Sequence, residues 1–347
     1  MTEFAPPLRL DLDGNALVSN WRALDTLSGP ARAGAAVKAN GYGLGAREVV
    51  ARLRDAGCRD FFVAHWGEAR ELADIIPATW ISVLNGFCTD DIAAMRALGA
   101  IPVLNTPQQI ALWRQAGGGQ CHVMLDSGIN RLGLAPDQLG DALLHDLDID
   151  ILLSHLASAD EDVPQNARQL EIFAHARSRI KANRYSLANS AGIMLGNDYH
   201  FDLTRPGLGL YGGIARPEMA SFIKPVVAMS ARLLQVRDFP AGATVGYNAT
   251  YVCKQATRVG TISIGYADGY LRAFSGKGRA RYGEHELPVI GRVSMDLVTL
   301  DVNAAPELKE GDWVSVDYDL ATASAQSGLS QYELLTNLGT RFARNWR

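Results

Sequence analysis

An alternation repeated eight times over the first two-thirds of the chain constrains it more than any other feature. Short apolar runs recur: "AAVKA" (35–39), "FFVA" (61–64), "WISVL" (80–84), "IPVL" (101–104), "CHVMLD" (121–126), "DILLSHL" (150–156), "YSLAN" (185–189) and "FDLTRPGLGLYG" (201–212). Between them lie amphipathic stretches such as "AREVVARLRDAG" and "NARQLEIFAHARSRIKAN", with apolar residues at helical spacing. Strands alternating with helices pair in parallel, because each helix carries the chain back across the sheet. Eight such units predict a closed (β/α)8, TIM-like barrel rather than an open sheet.

After about Pro225 the texture changes. "ARLLQVRDFPAGATVGYNATYV", "TRVGTISIGYADGY", "RARYGEHELPVIGRVSMDLVTLDV" and "GDWVSVDY" read as short strands joined by Gly-rich turns. A last helix is predicted at "SQYELLTNLGTRFAR". The expected division is a barrel over residues 8–225 and a mostly-β domain over 226–347, with residues 1–7 associating with the latter.

Composition excludes several function classes. Of 347 residues 48% are hydrophobic, enough to fill two cores. The net charge of −4 comes from interspersed charges, so neither a nucleic-acid face nor a charged tail is expected. Cys58, Cys88, Cys121 and Cys253 are widely separated, so no pair has metal-binding spacing and no disulfide framework is expected. The start, "MTEFAPPLRLDLDG", lacks an apolar signal core, and no apolar run is long enough to span a membrane. A soluble cytoplasmic protein is expected.

Barrel enzymes build their sites at the C-terminal ends of their strands. Lys38 stands at the end of the first strand, before a loop holding Gly41, Tyr42, Gly43 and Gly45. Arg131 follows the fifth strand, His155 the sixth, Asn189 and Ser190 the seventh, and Arg205 the eighth. Each alone has an ordinary explanation: a solvated loop charge, a core histidine, a helix N-cap. Together they converge on one rim, which those explanations do not account for. A lysine amine kept partly neutral by burial can form a Schiff base with a carbonyl. Backbone N–H groups and a serine hydroxyl can cradle a phosphate, and an arginine can meet a pyridine nitrogen. The chemistry suits pyridoxal 5′-phosphate (PLP).

With these residues in view, the chain resembles the alanine racemases, the fold-type III family of PLP enzymes. "AAVKANGYGLGA", "LDSGINRLG", "SHLASADE", "LANSAGI", "TRPGLGLYG", "VGYNATY", "IGYADGYLR" and "GRVSMDLVTLDV" match that family's motifs, in its order, over nearly the whole chain. The resemblance implies interconversion of L- and D-alanine by two opposed bases, supplying D-alanine for peptidoglycan of the cell wall. Lys38 would hold PLP and act as one base. Tyr247, supplied by the partner chain of a homodimer, would be the other. Arg205 would face the ring nitrogen, and, being always protonated, would leave that nitrogen unprotonated. Tyr42, Ser190, Gly207 and Leu208 would hold the phosphate. His155 would brace Arg205 and Tyr247. Arg131 and the Met295 N–H would fix the substrate carboxylate, Asp296 would help position the Met295 segment, and Tyr266 would line the substrate entry.

Some positions depart from the family pattern. Met124 stands where many members have a lysine, usually carbamylated, so another group must orient Arg131. Thr340 replaces a phosphate-binding tyrosine, Ser294 a cysteine, and Leu44 a frequent histidine. Three other readings remain open at this stage: a racemase of broader specificity or one acting on serine, a PLP decarboxylase, and a non-enzymatic PLP-binding regulator. The "VGYNATY" motif speaks against the last two.

Overall fold

Ala35 and Ala36 form the second half of the strand that opens the barrel. The computed structural model describes residues 5–139 and 141–347. They pack as two units: residues 16–224, and residues 225–347 together with the described residues before Ala16.

In the first unit a seven-stranded parallel sheet runs in chain order through Ala35–Ala36, Phe61–Val63, Ile81–Val83, Ile101–Leu104, Gln120–Met124, Asp148–Leu153 and Arg184–Ser186. The eighth strand, Leu203–Thr204, pairs in parallel with Arg32–Ala33, which continues into Ala35–Ala36. Gly34 N–H donates to the Thr204 carbonyl on one side of the eighth strand. Asp202 and Arg205 N–H groups donate to the Tyr185 and Ala188 carbonyls on the other. The eight apolar runs are therefore the eight strands. They read as continuous apolar runs rather than alternating ones because both faces are covered: Phe61, Val63, Ile81, Val83, Val103 and Leu104 are all fully enclosed.

Helices cover the barrel by the spacing read from the sequence. In Ala46–Ala56 the buried residues are Ala46, Val49, Val50 and Leu53, one stripe at i, i+3, i+4 and i+7. Gly57, left-handed at φ 118°, ends this helix. Pro164–Arg179 starts on a proline at its first turn and carries Arg177 and Arg179 in its last.

The second unit is an eight-stranded sheet with a ring inside it. Val227–Phe239 pairs with Thr257–Ile262 and with Trp313–Val316, and the order through Val298–Asp301, His285–Ile290 and Arg279–Tyr282 joins those two. Two expectations fail here. The barrel does not begin at residue 8: Leu8–Leu12 pairs antiparallel with Val227–Phe239, placing Leu8, Leu10 and Leu12 in the second unit's core. Its alternating burial is that of a strand with one face covered. Residues 1–4, also expected to join this domain, lie outside the described residues. The last helix covers only Gln331–Thr336; Ala343–Trp346 is instead a strand, parallel to Leu8–Leu12. A partner strand over three hundred residues away overrode the local helical pattern.

Candidate active site

Lys38 leaves the first barrel strand into a turn of the wrong hand. Ala39, Asn40, Gly41 and Tyr42 have φ of 53°, 54°, 61° and 54°. Glycine takes this conformation freely and asparagine tolerates it, whereas Ala39 and Tyr42 cost about 1–2 kcal/mol each. The surroundings hold the turn in place. Gly41, Gly43 and Gly45 N–H groups donate to the Val37, Ala39 and Asn40 carbonyls. The Asn40 side-chain oxygen accepts from Ala46 N–H at 2.9 Å. Tyr42 stacks on Tyr211, ring centroids 4.5 Å apart, and the Tyr211 hydroxyl donates to the Ala36 carbonyl. Glu68 accepts from Ala39 N–H at 2.6 Å. Strained non-glycine backbone persists only where neighbours over-determine it, and it clusters at functional sites.

The Lys38 amine has a lowered pKa. Burial is the main cause and the nearby Arg131 the next; Glu68 opposes them, and Arg205 adds to the lowering. This favours the neutral amine, the form that acts as base or nucleophile.

Ser190 organises a second part of the rim. Its Oγ accepts from Gly207 N–H at 2.9 Å and Gly209 N–H at 3.1 Å. Both hydroxyl lone pairs are thereby used, so its O–H proton is left to donate, as toward an anion. Beside it the Tyr42 hydroxyl lies 2.3 Å from where a Cβ at position 207 would stand, so only glycine fits there. Leu208, buried, starts the 3-10 turn Leu208–Tyr211.

Arg205, 7% exposed, is held by neutral partners: its guanidinium donates to Ser186 Oγ and to the Ser154 carbonyl. Burial lowers its pKa to about 10, which leaves it charged at neutral pH. Its guanidinium hydrogen bonds thus run to Ser186 and Ser154, and the role of His155 as a brace stays what the resemblance implies. His155 stands in its field. Burial, then Arg205, Arg131 and Lys38, push the imidazole down to about 3, so it is neutral. Arg131 is exposed in a loop built on Asp126, whose carboxylate accepts from the N–H groups of Gly128, Asn130 and Arg131. Met124 lies in the barrel's apolar interior with Phe62, Val103, Ile151 and Leu153. Leu44 is fully buried, which makes it a packing residue.

This set fits a phosphorylated pyridine aldehyde. A neutral-prone amine, a serine hydroxyl with a proton to give, a glycine cradle under a tyrosine hydroxyl, and a buried arginine with no acidic partner among the described residues meet its aldehyde, phosphate and ring nitrogen in turn.

The second unit carries the remaining sequence-derived residues, with a different character. Tyr247 is 65% exposed at the tip of a ribbon, Thr244–Val245 paired with Tyr251–Val252. Asn248 and Ala249 after it are left-handed. Tyr266 and Met295 lie on two loops locked together: Tyr266 and Ala267 N–H groups donate to the Ser294 and Met295 carbonyls. A Cβ at Gly265 would stand 2.2 Å from the Met295 oxygen, so this approach requires glycine. Arg341, which the sequence did not flag, clamps both loops. It donates to both oxygens of buried Asp268, at 2.6 and 2.8 Å, and to Asp296 at 2.7 Å. Thr340, beside it, is exposed.

Comparison with known proteins agrees with this geometry. The family model "Alanine racemase, N-terminal domain" matches residues 12–215, and "Alanine racemase, C-terminal domain" matches residues 226–346. An alanine racemase of Methylobacterium nodulans is 42% identical, over 97% of this chain and 95% of that protein. A biosynthetic alanine racemase of Agrobacterium fabrum is 39% identical, over 98% and 94%. The crystal structure of Bartonella henselae alanine racemase, with covalently bound pyridoxal phosphate, superposes with a TM-score of 0.92 at 34% identity, over 99% of this chain and 100% of that one. Matched from end to end by both domain models, the chain belongs to the alanine racemase family.

Proposed function

We propose that this protein is a PLP-dependent racemase interconverting L- and D-alanine, and that it works as a homodimer. The observation that carries the reading is the cluster of Lys38, Arg205 and the Ser190–Gly207 cradle at the strand ends of one barrel, with no carboxylate paired to Arg205 among the described residues. The barrel unit would hold the cofactor and the β unit would contribute Tyr247. A D-alanine product would serve cell-wall synthesis, with the cytoplasm as the site of action. Among the described residues no helix is long and apolar enough to cross a membrane.

When bound, PLP would supply an aldehyde for the amino group of alanine and a ring over which the electron pair left at Cα is delocalised. The chain's own residues do the rest. Lys38 would anchor the cofactor and carry a proton on Nζ at one face of Cα. Tyr247 Oη would carry a proton at the opposite face. One base alone would return the proton to the side it came from, so inversion needs two. Ser190, Tyr42, Gly207 and Leu208 would hold the phosphate. Arg205 donates hydrogen bonds and accepts none, so it would keep the ring nitrogen unprotonated and temper the electron sink. That makes well-placed bases matter more and limits side reactions. Arg131 and the Met295 N–H would take the alanine carboxylate, with Tyr266 at the entry. The exposure of Tyr247 supports a role outside its own chain's unit.

The test is a panel of L- and D-amino acids followed by loss of optical rotation, together with borohydride reduction and peptide mass mapping. Racemisation of alanine, with the cofactor mass on the Lys38 peptide, is the expected result. Turnover of serine and not alanine would move the substrate assignment. A cofactor fixed to Lys181 or Lys224 would remove the site itself.

A further inference from the structure

Glu68 is the third residue of the helix Trp66–Leu72, whose N-cap is His65. A glutamate there commonly reaches back to one orphan N–H at its own helix start. Glu68 reaches one residue further back, past the N-cap: Oε2 accepts from Ala64 N–H at 2.7 Å. Its other oxygen crosses to the neighbouring loop. There Oε1 accepts from Ala39 N–H at 2.6 Å, one residue after Lys38. Ala64 directly follows the second barrel strand, and Ala39 opens the left-handed turn at the end of the first. One carboxylate, its side chain 16% exposed, thus ties two adjacent strand ends together at the residue that needs holding.

We infer that Glu68 is a positioning residue for Lys38: through the Ala39 and Ala64 amides it fixes the left-handed turn and so the direction in which the Lys38 amine leaves the barrel strand. The strand below is already fixed, since Val37 N–H donates to the Phe62 carbonyl. The turn above it runs against its residues' preference. Without the Glu68 bond the Ala39 amide faces solvent and the segment relaxes toward right-handed backbone, moving Nζ. Charge acts in the same place. Lys38 faces the cations Arg131 and Arg205 and, as the opposing charge, Glu68, while His65 Nε2 lies 4.0 Å from Glu68. Removing the carboxylate leaves the cations unopposed, which stabilises the neutral amine.

The inference rests on Lys38 being the base of the proposed racemisation, so its test includes a readout independent of turnover. Amide hydrogen exchange is measured on PLP-loaded wild type, Glu68→Gln and Glu68→Asp. Glutamine keeps one acceptor but turns an NH2 toward the other amide; aspartate keeps the charge but is too short to span both. Exchange at whichever of Ala39 and Ala64 meets the NH2 should rise about tenfold or more in Glu68→Gln, as for the loss of a hydrogen bond to a charged group. Val37 should stay protected. In the same variant kcat for alanine should fall at least about tenfold while KM changes little, the pattern of a misdirected base. The pH–rate limb of the base should move acidward, because an anion beside an ammonium has gone. Glu68→Asp should keep one of the two amides protected and retain the wild-type limb. Unchanged exchange at both amides overturns the inference. So does a fall in kcat with both amides still protected, or failure of both variants to fold, which would make Glu68 a fold residue. If the wild type does not racemise alanine, the functional reading fails, while exchange at Ala39 and Ala64 still decides whether Glu68 holds the turn.

Discussion

The two units hold their functional residues in opposite ways. In the barrel unit the polar groups are sunk into the rim and braced from several sides: Arg205 is 7% exposed, Ser190 2%, and Lys38 stands in a turn held by backbone and side-chain hydrogen bonds. In the β unit Tyr247 and Met295 are 65% and 54% exposed, and the Met295 and Tyr266 loops are braced by each other's backbone and by one side chain, Arg341. The barrel rim is therefore preorganised, which suits the anionic cofactor proposed for it. The β unit presents residues with little of their own around them, fit to be used elsewhere. Burial shifts the ionisation of Lys38 and Arg205 in the first unit, whereas Tyr247 and Met295 in the second are exposed.

The largest effects should come from the two bases, and they should differ in kind. Lys38→Ala removes anchor and base together, so racemisation should fall by about 10⁴-fold or more, and solvent exchange of the alanine Cα proton should vanish for both enantiomers. Tyr247→Phe should lose racemisation by about 10²–10⁴-fold yet keep its cofactor. In D2O it should still exchange the Cα proton of one enantiomer only, because Lys38 can remove and return a proton on its own face. Proton NMR of each enantiomer reads this. Exchange of both enantiomers in Tyr247→Phe would mean that Tyr247 is not the second base.

Arg341→Met tests how far the exposed half depends on its clamp. It leaves Asp268, whose side chain is 1% exposed, without its bidentate partner. Arg341 is itself half-exposed, so the loss should be about 1–3 kcal/mol of stability rather than that of a fully buried pair. KM for alanine should rise several-fold as the Tyr266 and Met295 loops part, with PLP content unchanged. Thermal melting and steady-state kinetics check both. A loss of PLP instead would show that the two halves are not held separately.

A smaller effect separates the units by pH. His122 is fully enclosed in the barrel, accepting from Ile151 N–H on Nδ1 and donating from Nε2 to Ser82 Oγ; burial lowers its pKa to about 4. Burial and neighbouring cations hold His155 at about 3. Between an unfolded value near 6.5 and these folded values, the unfolded chain binds more protons. Stability from both histidines is therefore full above about pH 6.5 and is lost on acidification toward pH 3–4, by up to about 1.4 kcal/mol per pH unit per histidine. The β unit's histidine, His285, is exposed on a strand. Amide exchange between pH 7 and 4 should show barrel strands losing protection before the Val227–Phe239 strand. In His122→Gln the loss should be shallower.

Sequence alone reached the barrel strands because each is a local apolar run bounded by turn and helix signals. It singled out Lys38, Arg131, His155, Ser190 and Arg205 because each stands within a few residues of a strand's C-terminal end. What it missed was non-local. Leu8–Leu12 gains its strand partner across more than two hundred residues, and Ala343–Trp346 gains its own from Leu8–Leu12. Glu68 reaches a backbone N–H 29 residues away, and Arg341 a carboxylate 73 residues away. No spacing rule records such pairs. Asp126 is different: an aspartate before Ser-Gly, accepting from amides two to five residues on, is an Asx turn that could have been read. The role of Met124 was legible only as a departure, and its apolar surroundings give Arg131 no anion from that position.

The central claim is that one functional site takes Lys38 from one chain and Tyr247 from another. Subunit exchange tests it directly. Lys38→Ala and Tyr247→Phe homodimers should each be nearly inactive, since every site lacks one base. When the two are mixed and allowed to exchange, a mixed dimer has one site with both lesions and one with neither. With random re-pairing half of the dimers are mixed, so activity should recover toward roughly a quarter of wild type under two-fold symmetry. Native mass spectrometry counts the mixed dimers in the same sample. Mixed dimers present with no recovered activity would contradict the claim, because two bases from a single chain leave every site with one lesion.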